Sequence, residues 1–327
     1  AGRQGKDASS SGSQGSRVDA GTSAESDAGA ARDAGPQKSD AGSADAGQSP
    51  VEMGDGTCCD DGNCLCRGPE PTAELLKKNG SYKVADYDSG FKDGPTYLGA
   101  KVWYPSDATA PFSAIVLCPG LTGVIRDLAP WGPFLASHGI VTMVIDTNNP
   151  NVDVAERAVA LMEAFEALKA ENTRDGSPLQ GKLTKDRYGM GGWSMGGGAT
   201  WINTSKSADI KTGMTLAGHN TTAGGASIAN KVMAPTIIFA GSADPGILGG
   251  SMQSQNAYKA IPATTPKLLY EVSGGGHWDY NTPVTNMNMI GYYGLAFQKT
   301  FLEGDERYRK FLLDKGPNAS DWQSNIE

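Results

Sequence analysis

Apolar and polar residues follow two different periods along the chain from residue 82 onward. Short apolar runs rich in β-branched residues predict strands, and apolar residues at helical spacing predict helices between them. Strand–helix alternation of this kind predicts an α/β domain with a mostly parallel central sheet covered by helices on both faces. Catalytic and ligand-binding residues in such a domain lie at the carboxyl ends of the strands. The predicted strands span residues 98–104, 114–118, 140–145, 187–193, 212–216, 236–240 and 267–272.

Three segments between and after these strands show clear helical patterns. Residues 131–137 form a short helix that ends at His138-Gly139, a common C-terminal signal. A longer amphipathic helix follows Asp153, which with Glu156 has the spacing of a capping box. The last helix is predicted from about residue 289 to residue 301. The apolar face of the amphipathic helix consists of Val154, Ala158, Leu161, Met162, Phe165 and Leu168.

The composition changes sharply near residue 56. Residues 1–56 contain no aromatic residue, no Leu and no Ile, and they repeat Asp-Ala-Gly at irregular intervals. Such a segment buries too little apolar surface to offset the entropy of ordering, so we expect a disordered linker. We therefore divide the chain into a linker at 1–56, a Cys-rich knot at 57–66 and a catalytic domain at 67–327. The chain begins at Ala1 rather than Met, so we expect a protein that is secreted or tethered to the cell surface, with a lipoprotein anchor as one route.

The net charge of −8 argues against a nucleic-acid partner, because phosphate binding requires a basic face. No apolar run approaches the roughly 18 residues needed to span a bilayer, so we expect no transmembrane segment. We expect a monomer.

Four cysteines lie within nine residues, as Cys58, Cys59, Cys64 and Cys66. Two disulfides are the preferred interpretation, and they would place the protein outside the cytoplasm. A zinc site is the alternative, although the spacing lacks the paired C-x2-C knuckles usual for zinc. The fifth, Cys118, lies in an apolar run and is predicted to be a buried core residue.

One G-x-S-x-G motif occurs in the chain, at Gly192–Gly196. The motif alone is weak, but it ends a predicted strand and begins a Gly-rich helix start. This context is typical of a nucleophile elbow, in which a sharp strand-to-helix turn exposes the serine and requires glycine two residues before and after it. Ser194 is therefore the candidate nucleophile, and a Gly-rich turn with an incidental serine is the alternative.

An activated serine needs a neutral histidine, and the chain has three. In α/β-hydrolase folds the acid and the histidine follow the serine in that order, each after a strand. His277 meets this condition, and Asp244 is the carboxylate that follows the preceding strand. His138 precedes the serine at a predicted helix end, where a structural role is expected. His219 follows a strand, but no suitably placed carboxylate lies between it and Ser194.

The oxyanion of an acyl-transfer reaction needs two backbone N–H donors. Met195, directly after the serine, is predicted to supply one, and Leu121, in the loop after strand 114–118, the other. This chemistry requires no metal and no cofactor, and we expect neither.

Several short motifs between Arg67 and Leu313 carry a family resemblance. The chain resembles bacterial cutinases and poly(ethylene terephthalate) hydrolases, in the dienelactone-hydrolase-like branch of the α/β-hydrolases. The resemblance implies an α/β-hydrolase fold, a triad of Ser194, Asp244 and His277, and an open, shallow cleft that admits polymer chains. The motifs are Arg67–Thr72, Pro119–Gly123, Ile145–Asn148, Gly192–Gly198, Gly275–His277, Asp305–Tyr308 and Phe311–Leu312.

Two departures from the family pattern affect the substrate. The family usually has Tyr or Phe where this chain has Leu121, and a Trp where it has His219. Loss of two aromatic contacts, each worth about 0.5–1.5 kcal/mol, predicts weaker binding of aromatic polyesters without loss of ester hydrolysis. The family's C-terminal disulfide is also expected to be absent, since no Cys follows Cys118. The candidate substrate-binding residues are Trp193, His219, Ile247 and Trp278, of which the two tryptophans have a core role as the alternative.

These observations predict a secreted serine hydrolase of aliphatic or aromatic polyesters, whose partner is an ester or polyester substrate. A carboxylesterase or lipase limited to small soluble or acylglycerol esters is the alternative. A third interpretation, a cell-surface binding protein with a vestigial site, is disfavoured by the complete set of candidate catalytic residues.

Overall fold

The computed structural model describes residues 64–91, 94, 96–220, 225–245, 250–285 and 289–327. The predicted linker, Cys58, Cys59 and Ile247 lie outside the described residues. The Sγ atoms of Cys64 and Cys66 lie 3.1 Å apart. Because Cys58 and Cys59 are not among the described residues, the disulfide pairing of the four clustered cysteines stays a prediction.

Within the described residues, one mixed sheet of nine strands forms the centre of the fold, in the order β1-β2-β4-β3-β5-β6-β7-β8-β9. The strands from β3 to β8 pair in parallel, whereas β1, β2 and β9 are antiparallel to their neighbours. All seven predicted strands are present, and β1 and β9 add to them. The strands are β1 Val84–Tyr87, β2 Tyr97–Pro105, β3 Phe112–Cys118, β4 Val141–Thr147, β5 Leu183–Trp193, β6 Ile210–Leu216, β7 Thr236–Gly241, β8 Lys267–Val272 and β9 Ala319–Ser324.

Helices cover both faces of this sheet, which confirms the predicted fold class. They are α1 Ile125–Leu128, α2 Trp131–Ser137, α3 Val154–Ala170, α4 Met195–Thr204, α5 Gly225–Ala229, α6 Gly250–Ala260 and α7 Ile290–Phe297, with 3-10 turns at Leu75–Lys77 and Glu306–Leu312. Among the described residues, no helix has the length and apolar character that a bilayer crossing requires.

The core divides into layers because side chains alternate across each strand. In β3, Ile115 and Leu117 pack toward α2 and α7, whereas Val116 and Cys118 pack toward α3 and α4. The Cys118 thiol is fully buried, as predicted, and burial raises its pKa to about 11. The thiol is therefore protonated at neutral pH.

The predicted capping box at the start of α3 is confirmed. The N–H of Glu156 donates to Asp153 Oδ1 at 2.8 Å, and the N–H of Asp153 donates to Glu156 Oε2 at 3.2 Å. These bonds satisfy two of the donors that a helix start leaves free.

The last predicted helix is present at Ile290–Leu302, but it is not α-helical throughout. Helix α7 ends at Phe297, and Gln298–Leu302 forms a π-helical turn. The N–H of Glu303 there donates to the carbonyl of Gln298, five residues back, at 3.1 Å. The wider turn carries a buried ion pair between Lys299 and Glu303, with 2.6 Å between Nζ and Oε2.

Candidate active site

Ser194 occupies the sharp turn between β5 and α4, with φ 55° and ψ −118°. A non-glycine residue at positive φ is strained, and such strain persists only where the surroundings hold it. Three backbone hydrogen bonds do so here. The N–H of Ser194 donates to Leu216 O at 2.8 Å, and its carbonyl accepts from the N–H groups of His219 at 2.9 Å and Gly198 at 3.1 Å.

The turn can form only because Gly192 and Gly196 lack side chains. A Cβ on Gly196 would lie 2.0 Å from the carbonyl oxygen of Cys118, and one on Gly192 would lie 2.5 Å from the carbonyl carbon of Gly196. Both positions are therefore blocked by backbone, which cannot move aside as a flexible side chain can. The predicted need for glycine on both sides of the serine is confirmed.

Asp244 and His277 meet at the same end of the sheet as Ser194, after β7 and β8. His277 Nδ1 lies 2.8 Å from Asp244 Oδ2, and the Asp244 side chain is only 2% exposed. The hydrogen bond is shielded from water, which strengthens it relative to an exposed pair. Ser194 and His277 line one cleft, although no hydrogen bond joins them among the described residues; such bonds are often long before substrate binds.

The loop after β3 passes directly against the serine. A Cβ on Gly120 would lie 2.8 Å from Ser194 Cβ, so the loop backbone approaches the nucleophile at this point. Neither the N–H of Leu121 nor that of Met195 donates to a backbone carbonyl in the described part of the chain. Met195 is the first residue of α4, where N–H groups have no partner within the helix. Both groups remain available to an oxygen in the cleft.

The cleft has a volume of about 340 Å³ and mostly apolar walls. Trp278 is 59% exposed and Leu121 is 38% exposed, so each presents an apolar surface at the opening. His219 is half-buried there, and its pKa is lowered by burial first and by the neighbouring His277 second. The residues that line the cleft are Leu121, Thr122, Trp193, Ser194, Met195, Ala217, Gly218, His219, Asp244, Pro245, Gly250, His277 and Trp278.

A family model described as PET hydrolase-like matches residues 59–326 of this chain. The chain belongs to the PET hydrolase-like family. It is therefore a carboxylic-ester hydrolase, and the predicted resemblance is confirmed.

Curated proteins with similar sequences have names that fit this family. Cutinase est2 of Thermobifida alba is 30% identical over 254 residues, which cover 77% of this chain and 80% of that protein. Cutinase cut1 of Thermobifida fusca is 29% identical over 247 residues, covering 75% and 74%. A bis(hydroxyethyl) terephthalate hydrolase of Streptomyces coelicolor is 28% identical over 248 residues, covering 75% and 76%.

Trp193 has a different surrounding from the other candidate substrate-binding residues of this PET hydrolase-like chain. It is 2% exposed, and its indole N–H donates to the carbonyl oxygen of His277 at 2.7 Å. Its ring packs against the rings of His277, at 5.2 Å between centroids, and Trp278, at 4.1 Å. Trp193 thus forms the floor of the cleft beneath two residues that reach its surface. The fourth candidate, Ile247, lies outside the described residues.

His138 lies away from the cleft, at the C-terminal cap of α2. It is buried, and its Nε2 lies 2.9 Å from the carbonyl oxygen of Lys78. A structural role, as predicted, fits this position.

The sequence analysis did not predict two residues that support the site, Asp279 and Arg157. The N–H of Gly276, just before the candidate base, donates to Asp279 Oδ2 at 2.8 Å. Arg157 of α3 is fully buried and donates to carbonyl groups near the cleft. The available signal was the position of Arg157, since it shares the helix face of Val154, Ala158 and Leu161 and interrupts an otherwise apolar stripe.

Proposed function

We propose that this protein is a serine hydrolase that cleaves ester bonds of polyesters through an acyl-enzyme. The observation that carries the proposal is the buried hydrogen bond between Asp244 and His277 in the cleft that also contains the strained Ser194. The proposal assigns the role of nucleophile to Ser194, that of base to His277 and that of the group orienting the base to Asp244, the three roles that acyl transfer by a serine requires.

In the acylation step, Ser194 Oγ attacks the ester carbonyl carbon while His277 Nε2 takes the hydroxyl proton. The carbonyl oxygen becomes an oxyanion, which accepts hydrogen bonds from the N–H groups of Leu121 and Met195. Asp244 holds Nδ1–H, which fixes the tautomer with a free Nε2 and stabilises the imidazolium. Collapse of the tetrahedral intermediate breaks the ester C–O bond, and the leaving alkoxide takes the proton from His277.

Deacylation repeats these steps with water as the nucleophile. His277 takes a proton from the water, whose oxygen attacks the acyl carbon, and the same two N–H groups bind the second oxyanion. The acid is released when Ser194 Oγ recovers its proton from His277. The enzyme returns to its starting state with one ester bond hydrolysed.

A polyester substrate is supported by the open side of the cleft. Trp278 presents more than half of its surface there, and a chain segment can lie across an open cleft that a closed pocket would exclude. Bis(hydroxyethyl) terephthalate, the compound after which one relative is named, contains the repeating unit of such a polymer. The alternative, hydrolysis of small soluble or acylglycerol esters alone, is favoured by Leu121 and His219, which leave this cleft with fewer aromatic contacts than the resemblance implies.

We further propose that the protein acts outside the cytoplasm as a monomer. Residues 67–327 would form the catalytic domain, the four clustered cysteines of 57–66 a disulfide knot, and residues 1–56 a tether to the cell surface. The cysteine cluster and the composition of the first 56 residues support this arrangement.

The test compares short-chain and long-chain p-nitrophenyl esters with the release of soluble products from polyester film. Both assays are run with the wild type and with Ser194→Ala. We expect the wild type to release soluble products from the film and Ser194→Ala to release none. Turnover of short soluble esters without film products would favour the small-ester alternative, and no turnover by the wild type would favour the binding-protein interpretation.

A further inference from the structure

Arg157 projects from α3 into the protein interior beneath the loop after β3. The side chain is fully buried. One guanidinium nitrogen, Nη1, donates to the carbonyl oxygen of Pro119 at 3.1 Å, and Nη2 donates to the carbonyl oxygen of Pro150 at 2.6 Å. The guanidinium therefore joins the loop after β3 to the loop after β4.

The buried guanidinium of Arg157 is an unfavourable arrangement for the stability of the fold. Among the described residues, no carboxylate lies within ion-pair distance of Arg157, and its buried Nε has no hydrogen-bond partner. Burying a charge without a counter-charge is unfavourable, and carbonyl dipoles offset only part of the lost hydration. An apolar residue here would avoid the burial of a charge, but it would leave the carbonyls of Pro119 and Pro150 without this donor, so the guanidinium acts on the two loops rather than on α3 itself.

The loop that Arg157 contacts is itself strained. Thr122 has φ 58°, a left-handed conformation that disfavours a β-branched residue. Its N–H donates at 2.7 Å to the carbonyl of Pro150, the same oxygen that accepts from Arg157. The N–H of Gly123 closes the turn by donating to Gly120 O at 3.0 Å.

Leu121 lies between the two points that the guanidinium holds. On one side Arg157 binds the carbonyl of Pro119 directly, and on the other it binds Thr122 through the carbonyl of Pro150. The two flanking bonds restrict displacement of this part of the loop. The peptide that carries the Leu121 N–H also carries the carbonyl of Gly120, so its rotation would break the bond that this carbonyl accepts from the N–H of Gly123.

We propose that Arg157 is a positioning residue, which holds the loop 119–123 so that the Leu121 N–H points at the developing oxyanion. The inference rests on the proposed function of the cleft. Arg157 does not touch the substrate in this arrangement. It acts through the backbone of the loop, so its loss should weaken binding of the transition state more than binding of the ester.

Arg67 provides a matched control. It is also buried, and its guanidinium also donates to two backbone carbonyls, those of Thr109 and Pro111. These carbonyls precede the first residue of β3, whereas the cleft lies beyond the last residue of that strand. Removal of either guanidinium should destabilise the fold, but only that of Arg157 should alter the oxyanion site.

The experiment measures kcat and KM on a short p-nitrophenyl ester, the thermal midpoint and the inhibition constant of an alkylboronic acid. The boronic acid forms a tetrahedral adduct with a nucleophilic serine and places an oxygen where the oxyanion develops. The variants are Arg157→Met, Arg157→Lys and Arg67→Met.

Loss of an oxyanion-hole donor lowers kcat by about 10²–10³-fold, so a displaced donor should lower it by about tenfold or more in Arg157→Met. We expect KM to change by less than about threefold and the boronate inhibition constant to rise as far as kcat falls.

Arg157→Lys should lower kcat less than Arg157→Met does. One ammonium can still donate to one of the two carbonyls, although it does not reproduce the fork of a guanidinium. Arg67→Met should lower the thermal midpoint while kcat and boronate affinity stay within about twofold of the wild type. Equal losses of kcat in Arg157→Met and Arg67→Met, or unchanged boronate affinity in Arg157→Met, would overturn the proposal. Should Arg157→Met not fold, wild-type kcat in Arg157→Lys would overturn it. A wild type that hydrolyses no ester would instead refute the proposed function.

Discussion

The indole N–H of Trp193 donates a hydrogen bond to the carbonyl oxygen of His277, with 2.7 Å between Nε1 and O. Trp193 is the last residue of β5 and directly precedes Ser194. His277 follows β8, which is separated from β5 by two other strands. One side chain therefore fixes the position of the loop that carries the proposed base relative to the strand that carries the proposed nucleophile.

Trp193→Phe should lower kcat by about three- to tenfold, because a hydrogen bond contributes about 0.5–1.5 kcal/mol net and each 1.4 kcal/mol is a factor of ten. The phenyl ring keeps part of the packing under His277 and Trp278, so KM should change less than kcat. Steady-state kinetics on a short p-nitrophenyl ester provide the measurement.

The control for this prediction is Trp201→Phe. Trp201 is also fully buried, but its indole nitrogen has no hydrogen-bond partner among the described residues. The control removes a similar volume without breaking a bond to the base loop. Equal kcat values in the two variants would show that volume, not the hydrogen bond, matters.

Asp244→Asn should lower kcat by about 10³–10⁴-fold with little change in KM, since an amide favours the wrong tautomer of the base. The shape of the site is retained, and the Asp244 side chain is almost fully buried. Asp279→Asn is the matched control, because its amide oxygen can still accept from the N–H of Gly276. We expect the control to keep kcat within about tenfold. A mild effect of Asp244→Asn would mean that another group orients His277.

Gly196→Ala should abolish measurable turnover and lower the free energy of unfolding by about 1–3 kcal/mol or more, because the new Cβ would overlap the carbonyl of Cys118. Gly99→Ala is the control, since the nearest atom to its Cβ would be 3.9 Å away. Urea unfolding and ester turnover measure both effects. Normal turnover in Gly196→Ala would show that the elbow tolerates a wider turn than its geometry indicates.

Most of the sheet could be predicted from sequence because its central strands are buried on both faces and appear as continuous apolar runs. The edge strands β1 and β9 are only partly buried, so they carry no such run and were not identified individually. The π-helical turn at Gln298–Leu302 was also missed. A wider helical turn shifts the hydrogen bonds by one residue and leaves the apolar pattern of the helix almost unchanged.

Part of the candidate site could also be predicted from the sequence, because its residues follow predicted strands. Chain order and strand position predicted which carboxylate and histidine belong together, and Asp244 and His277 do form a hydrogen bond. The supporting contacts could not be predicted in this way. Trp193 and His277 are 84 residues apart, and Arg157 and Pro119 are 38 apart. Only the folded backbone brings these carbonyls and donors together, and no residue spacing encodes them.

The buried His138 predicts how stability depends on pH. The pKa of His138 is lowered to about 4, chiefly by burial; the hydrogen bond to the carbonyl of Lys78 opposes this shift, and the nearby Lys299 ammonium adds to it. Lys299 donates to the carbonyl of His138 at 2.6 Å and pairs with Glu303. In the unfolded chain the His138 imidazole has a pKa of about 6.5. Between these values the unfolded state binds more protons than the folded state, so the free energy of unfolding falls as the pH drops from about 6.5 to about 4.

Each pKa unit corresponds to about 1.4 kcal/mol, so His138 alone should remove about 3 kcal/mol of stability across this window. In His138→Gln this contribution should disappear, while the amide keeps a donor for the carbonyl of Lys78. Urea unfolding at half-unit steps from pH 4 to pH 7.5 measures both curves. Their difference isolates His138, because the titrations of all other groups are common to both proteins. The difference should vary with pH below about 6.5 and be constant above it. Parallel curves throughout would show that His138 becomes protonated without opposing the fold.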